Sequence, residues 1–146
     1  MALVGWLWAD ILLGLFVIFL AAASPPVKLT PQAGPSVDPT PIALDIDIDG
    51  SRMISTDLDV AAKEQTRFAD SVKAQLIAKS EARRVALVFA YGWNQDAALG
   101  QAIALKATDA LPLIGGQFQG AVMKPLHDIH PGDPGTKVSL EIYVYR

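Results

Sequence analysis

The sequence predicts an α/β protein: a single N-terminal transmembrane helix followed by a small α/β sandwich domain in which helices pack against one mixed sheet. Three observations lead to this fold class. A long apolar stretch opens the chain, a proline-rich stretch follows it, and the remainder alternates between strand-like and helix-like hydrophobic patterns. We therefore divide the chain into a transmembrane helix at residues 1–23, a linker at 24–41 and an α/β domain at 42–146.

The apolar stretch has the length of one membrane crossing. Residues 2–23 carry a single charged side chain, Asp10, and a helix of about 20 residues at about 1.5 Å per residue crosses a hydrocarbon core of about 30 Å. Trp6 and Trp8 fit an interfacial position near the start of the helix. The small residues at 21–24 leave a cleaved signal peptide open as an alternative, but no Lys or Arg precedes the apolar stretch.

Asp10 is the candidate functional residue of this helix. An acid at the centre of a span costs about 2.5 to 3.5 kcal/mol on insertion scales, so it marks a functional site by default. An apolar setting disfavours the charged form, and such a group can load and release a proton as its surroundings alternate. Trp6, Gly14 and Val17 share its helical face, and Gly14 permits close approach of a second helix. A residue at the helix boundary, or one that only holds two helices together, is the alternative.

Residues 24–41 predict a linker between the membrane and the domain. Six of them are proline, and such a composition favours an extended, polyproline-like spacing of about 3.1 Å per residue. The linker would hold the domain away from the bilayer.

The domain is predicted to open with a β-hairpin at 42–54. Three aliphatic residues alternate with three aspartates at 44–49, and Asp49-Gly50 supplies a turn. The same aspartate spacing matches the start of a calcium-binding loop, but the twelfth position of that loop, where a bidentate Glu belongs, is Thr56. A strand with one acidic face is the better interpretation.

Two helices flank the next predicted strand. Apolar residues at helical spacing predict a surface helix from Asp57 or Asp59 to Ser80, and an alanine-rich helix follows from Asn94 to Leu111. Between them, the continuous apolar run at 84–91 predicts a central strand covered on both faces.

The last part of the chain, residues 115–146, is predicted to end in a strand. Its first half is rich in glycine and proline and predicts a loop or an irregular edge strand. Strict alternation at 138–145 predicts a half-buried terminal strand. The predicted order is thus hairpin, helix, strand, helix, strand.

Composition excludes several classes of function. The net charge of -3 and the pI near 5.2 argue against a nucleic-acid partner. The chain has no Cys, which removes disulfides and thiol chemistry. His127 and His130 lie in a segment rich in Pro and Gly, where two exposed imidazoles are a better interpretation than a metal site. We expect no enzyme activity, no metal and no cofactor.

One stretch of residues resembles a known family. Trp8-Ala9-Asp10 followed by an apolar helix resembles the aromatic-Ala-Asp signature that opens the transmembrane helix of MotB-type stator subunits, and the arrangement also resembles ExbD and TolR. The segment 44–54 is similar to the strand-turn-strand that opens the ExbD/TolR-type domain. The resemblance implies a bacterial inner-membrane protein with a cytoplasmic N-terminus and a periplasmic C-terminal domain.

The family also implies partners and a mechanism. Two copies of the helix would sit inside a pentameric ring of a MotA/ExbB/TolQ-like multi-span protein, and Asp10 would carry the ion. Residues 1–23 contain no hydroxyl or amide side chain that could bind sodium, which favours protons. The domain would transmit force or attach to an envelope component as a homodimer, with Tyr143 and Tyr145 as the candidate contact surface. The alternative is a membrane-anchored periplasmic scaffold or binding module that conducts nothing.

The sequence departs from the family in the second half of the domain. Residues 89–94 and 105–107 lie where OmpA-like domains place a peptidoglycan-binding Asp and Arg, and neither residue type occurs there. The sequence therefore does not predict direct peptidoglycan binding through that pocket.

Overall fold

The computed structural model describes residues 34–146, and within them the chain forms four strands and three helices. The strands are β1 (Ile42–Asp47), β2 (Val85–Asn94), β3 (Val122–Ile129) and β4 (Lys137–Val144). The helices are α1 (Gly50–Met53), α2 (Leu58–Ala78) and α3 (Ala97–Ala110), and two short 3-10 turns come after α3 at Leu111–Ile114 and Gly116–Phe118. The predicted mixed α/β class is confirmed.

The four strands form one sheet in the order β1-β4-β2-β3. β4 pairs antiparallel with both β1 and β2, whereas β2 and β3 pair in parallel. A parallel pair needs a crossover connection, and α3 supplies it. Since β1, β2 and β3 run in the same direction, their carboxyl ends all lie at the same end of the sheet.

Helix α2 begins and packs as its sequence predicts. The carboxylate of Asp57 caps the helix by accepting hydrogen bonds from the N–H groups of Asp59 and Val60. Phe68 and Val72 are fully buried against the sheet, as expected for the apolar stripe of a surface helix. The predicted range of 57 or 59 to 80 agrees with the observed helix to within two residues at its C-terminal end.

Helix α3 packs so closely on β2 that only glycine fits at the contact. A Cβ atom on Gly92 would lie 2.1 Å from the carbonyl oxygen of Gly100, a distance that no real contact reaches. The helix begins at its cap Asp96, two residues after the predicted start at Asn94, because Asn94 still belongs to β2.

The predicted hairpin at 42–54 is wrong. β1 pairs with β4, about ninety residues further along the chain, and not with residues 52–54. Asp49-Gly50 turns the chain into α1 instead, because the Asp49 carboxylate accepts hydrogen bonds from the N–H of Arg52 and the hydroxyl of Ser51. The local turn signal was correct, but the turn leads into a helix and not into a second strand.

A buried acid joins this turn to α2. Glu64 is 4% exposed, accepts a hydrogen bond of 2.8 Å from the N–H of Asp49 and forms an ion pair with Arg67. Burial raises the pKa of the Glu64 carboxyl, but the hydrogen bonds from Arg67 and Asp49 outweigh burial and leave that pKa below its usual value.

The terminal strand is confirmed, with an unexpected place in the sheet. Val138, Leu140, Ile142 and Val144 are buried and alternate with half-buried residues. β4 is a central strand between β1 and β2, and β3 is the regular edge strand that replaces the predicted loop or irregular strand.

Residues 36–38 of the predicted linker lie along the end of β4. Val37 forms an isolated bridge with Tyr145, the N–H of Arg146 donates to the carbonyl oxygen of Ser36 at 2.9 Å, and Arg83 forms an ion pair with Asp38. This part of the segment is therefore attached to the domain.

Candidate functional site

The predicted proton site lies outside the described residues. Asp10 and the residues on its helical face, Trp6, Gly14 and Val17, belong to residues 1–33. Between residues 34 and 146, no helix is long and apolar enough to cross a membrane. The candidate site described below is a different one and lies within residues 34–146.

Within residues 34–146, one face of the sheet carries no helix, and we call it the open face. The hydrophobic core joins the helices to the other face, where Val88, Ala90, Leu140 and Ile142 are buried. The prediction that β2 is covered on both faces is therefore wrong for the part of the chain that the structure describes. The reason is that β2 alternates, with small and aliphatic residues on the covered side and larger ones on the open side.

Aromatic side chains run along the open face of β2. Phe89, Tyr91 and Trp93 are all half-buried and lie two residues apart, so they point to the same side of the strand. Tyr143 on the neighbouring β4 packs edge-on against Phe89, with ring centroids 6.0 Å apart and planes at 81°. This is a favourable aromatic geometry, which fixes both rings at the surface.

The neighbouring edge strand extends the apolar part of the open face. Leu126 is paired with Tyr91 and Val122 with Leu87, and their exposed fractions are 37% and 52%. Large apolar side chains that lie together and exposed commonly mark an interaction surface.

Trp93 is the most constrained aromatic residue of the open face. The His130 ring stacks on it with centroids 3.6 Å apart and planes at 11°, and Lys137 Nζ lies 4.5 Å from the indole centroid. Trp93 Nε1 donates to Ser139 Oγ at 3.0 Å, and Ser139 Oγ donates to Asp45 Oδ1 at 2.7 Å. The indole is therefore held in one orientation before any partner arrives.

Charged groups modify the open face at two further points. His130 Nε2 lies 3.0 Å from Asp128 Oδ2, which steadies the imidazole that stacks on Trp93. Burial raises the pKa of the Tyr91 hydroxyl, and the nearby carboxylate of Glu141 raises that pKa further. Tyr91 thus stays a neutral hydrogen-bond donor at physiological pH.

The two histidines predicted to be exposed in a loop have different environments. His127 is exposed on β3, and His130 comes just after that strand and stacks on Trp93. Within residues 34–146, no group of three or more His, Asp or Glu side chains is placed to hold a metal ion.

Both edges of the sheet are partly occupied. On β1, the carbonyl oxygens of Asp45 and Asp47 accept hydrogen bonds from Gln75 and Arg67 of α2, each at 3.2 Å. On β3, Pro125 has no N–H to donate, and its carbonyl oxygen accepts from the Gln101 side chain at 2.9 Å. An added strand would find these carbonyl oxygens already bonded and would find no donor at Pro125, so we take the open face as the candidate surface for contact.

The positions that correspond to the OmpA-like pocket are also described. Asn94 is buried, and its side-chain oxygen accepts a hydrogen bond from the N–H of Asp96. Lys106 is exposed on α3. Asn94 thus ends β2 and orders the turn into α3, which is a structural role.

Sequence reasoning found one part of the open face and missed the rest. Tyr143 and Tyr145, the predicted contact surface, do lie on it, and Arg84 lies 5.8 Å over the Tyr145 ring. The aromatic residues of β2 were missed because the run at 84–91 looks uniformly apolar. Their spacing of two, opposite the small residues Ala90 and Gly92, was the available signal.

Comparison with known proteins adds no relative. No protein-family model matches the chain, and no curated protein matches it.

Proposed function

We propose that the chain is a subunit of a proton-driven membrane motor, in which Asp10 carries protons and the folded domain transmits force or anchors the complex. The observation that carries this proposal is the single carboxylate in residues 2–23, a stretch long enough to cross a bilayer. Moving one charge across the membrane releases about 2.3 kcal/mol per 100 mV. Cycles of protonation at Asp10 could convert that energy into movement if they change the contacts of the helix.

The proposal requires a partner protein. One helix, or a pair of helices, cannot enclose a path for protons, so a multi-span protein of the MotA/ExbB/TolQ type would form a ring around two copies of this chain. Gly14, one turn from Asp10 on the same face, would let a neighbouring helix approach the carboxylate closely. The family resemblance of Trp8-Ala9-Asp10 supports this assembly.

The domain supports the same arrangement from outside the membrane. A motor needs a rigid body through which force passes, and residues 34–146 form a sheet with a continuous buried core. The domain would lie in the periplasm and bind an envelope component.

The decisive experiment replaces the carboxylate. The tagged full chain, purified from its native cells in mild detergent, should retain a stoichiometric multi-span partner. In liposomes that contain this complex, an imposed potential should drive proton flux that Asp10→Asn abolishes and Asp10→Glu partly keeps. Asp70→Asn is the matched control, since Asp70 is exposed on α2. Unchanged flux in an assembled Asp10→Asn complex would refute the proposal.

The aromatic open face favours a second candidate function, a membrane-anchored scaffold or binding module without ion transport. A rigid surface such as the one around Trp93 serves contact as well in a static anchor as in a motor. The scaffold predicts that a neutral helix can replace residues 1–23 without loss of function, and that no multi-span partner is purified with the chain.

A further inference from the structure

The open face has a regular arrangement in rows across the sheet. Strand register aligns a middle row of four residues, one from each strand: Asp45, Ser139, Tyr91 and Leu126. The row on one side of it contains Glu141, Phe89 and Lys124. The row on the other side contains Asp47, Lys137, Trp93 and Asp128.

The two outer rows are complementary to each other. On β3, the middle-row residue is Leu126. Lys124 lies two residues before it and Asp128 two residues after it, so the two outer rows carry opposite charges on this strand. On β4 the charges at the same distances from Ser139 are again opposite, in Lys137 and Glu141. On β2 both outer positions are aromatic.

We propose that the open face is a homodimer interface, in which two sheets pack face to face around a twofold axis that runs across the strands through the middle row. This rotation leaves each strand opposite its own copy and exchanges the outer rows. Lys124 then faces Asp128 of the second copy, and Lys137 faces Glu141 of the second copy. Phe89 faces Trp93 of the second copy. Each contact occurs twice, as an isologous interface requires.

The other way to pack two such faces is unfavourable. A twofold axis parallel to the strands would place β1 opposite β3 of the second copy within the same row. Asp47 would then face Asp128 of the second copy, and Glu141 would face the Phe89 ring. Like charges opposed across an interface cost free energy and select against that arrangement. The proposed axis opposes like charges at one point, between the two copies of Asp45, whose carboxylate accepts a hydrogen bond from Ser139 Oγ. It sets this one contact against four pairs of opposite charge, so the charge pattern favours the axis that runs across the strands.

The size of the face predicts a weak dimer that needs help. Four strands spaced about 4.8 Å apart, and about six residues of 3.3 Å each, give a surface of about 20 by 20 Å. This is smaller than the roughly 800 Å² per partner of a standard interface. The strength of the dimer therefore rests on the proposed function, because two helices held in one ring would keep the domains at a local concentration in the millimolar range.

Cross-linking of the full chain, purified together with its multi-span partner in mild detergent, tests the geometry. The chain has no Cys, so one introduced thiol reports one position. Leu126 lies on the proposed axis and would meet its own copy, so Leu126→Cys should cross-link to a dimer with a short bismaleimide. Leu99→Cys is the matched control, because Leu99 is a leucine on α3, on the other side of the sheet, and is at least as exposed as Leu126, 44% against 37%.

We expect Leu126→Cys to give about tenfold more dimer than Leu99→Cys at equal protein concentration. Equal yields would overturn the proposal. Because this yield is independent of proton flux, the two proposals fail separately. A motor with normal flux and no cross-link refutes only the interface, and a cross-linked dimer with unchanged flux in Asp10→Asn refutes only the motor.

Charge reversal tests the pairing itself. In the Leu126→Cys background, Lys124→Asp should lower the cross-link yield about fivefold, because the new aspartate of each copy would face Asp128 of the other copy. Adding Asp128→Lys should restore the yield, because each pair again joins opposite charges. Lys106→Asp, an equal reversal on α3, should have no effect. Circular dichroism of each variant checks that the fold is retained. A double variant that stays as low as Lys124→Asp alone contradicts the proposed register.

Discussion

The two faces of the sheet have opposite chemistry although they are made from the same strands. On β4, Ile142 is 0% exposed beneath the helices, while the adjacent Tyr143 is half-buried on the open face. Because successive side chains of a strand point to opposite sides, one strand contributes alternately to the core and to a surface. The alternation thus places a core residue and a surface aromatic residue at adjacent positions of the same strand, so a change at one position can affect stability while a change at the next affects the open face.

β2 shows why the bulky residues lie on the open side. Beneath α3 the strand has Val88, Ala90 and Gly92, and a Cβ atom on Gly92 would collide with the α3 backbone. A helix this close leaves room only for small side chains. The large aromatic residues of β2 therefore occur on the open face, where none of the helices between residues 34 and 146 lies.

The largest expected effect separates the two faces at adjacent positions. Ile142→Ala should lower the free energy of unfolding by about 2 to 5 kcal/mol, because it removes buried methyl groups and leaves a cavity. Tyr143→Ala should cost about 1 kcal/mol, since its ring is partly solvated and loses mainly the contact with Phe89. Urea denaturation of the full chain in detergent, monitored by circular dichroism, measures both. Equal costs would mean that the open face is as essential to the fold as the core.

The next effect tests the close approach of α3 to the covered face. Gly92→Ala should destabilise the domain by about 1 to 3 kcal/mol, because the added methyl group must push the helix away. Gly116→Ala is the control, since a Cβ atom there has no neighbour within 4 Å, and its cost should stay within about 0.5 kcal/mol. The same denaturation experiment decides, and a tolerated Gly92→Ala would show that the contact between helix and strand can relax.

The smallest expected effect is on the pH dependence of stability and concerns Glu64, the buried acid that joins the turn at Asp49 to α2. The pKa of Glu64 is lower in the folded protein than the usual 4.5, so the unfolded chain binds the proton more tightly. The contribution of Glu64 to stability is therefore complete above pH 4.5 and is lost as the pH falls through the lower, folded pKa. Glu64→Gln should cost about 1 kcal/mol at pH 7, and the cost should shrink as the solution is acidified.

The exposed Asp70 on the same helix provides the comparison for this prediction. Asp70→Asn should change the free energy of unfolding little at either pH, because Asp70 is exposed to solvent. Unfolding curves at neutral and acidic pH measure both variants. A Glu64→Gln cost that is the same at both values would remove the ionised carboxylate as its cause.

Much of the domain could be predicted from local patterns. The stripe of Phe68, Val72 and Leu76 predicted α2, and the alternation at 138–145 predicted β4, because helix and strand periods are properties of neighbouring residues. The hairpin was wrong because Asp49-Gly50 is compatible with both a tight turn and a helix start. The choice between a hairpin turn and a helix start depends on which strand pairs with β1. That strand is β4, so residues 50–53 are free to form a helix.

The candidate sites divide in the same way. Asp10 stands out in the sequence alone, since one charge in an apolar stretch needs no structure to be recognised. The open face does not, because Trp93, His130, Ser139 and Asp45 come from four separate parts of the chain and only the strand register brings them together.

The sequence by itself determined the mixed α/β class of the domain and the positions of α2, α3 and the terminal strand, and it singled out Asp10 as a candidate. Each of these depends on hydrophobic period or on composition within a short window. Only the tertiary structure decided that β4 is central, that helices cover one side of the sheet within residues 34–146, and that β3 and β4 each carry opposite charges on the two sides of the middle row. Strand order and register are set by contacts between segments that are distant in the sequence. The energy of such a contact depends on both segments, so the residue pattern of one segment alone does not predict it.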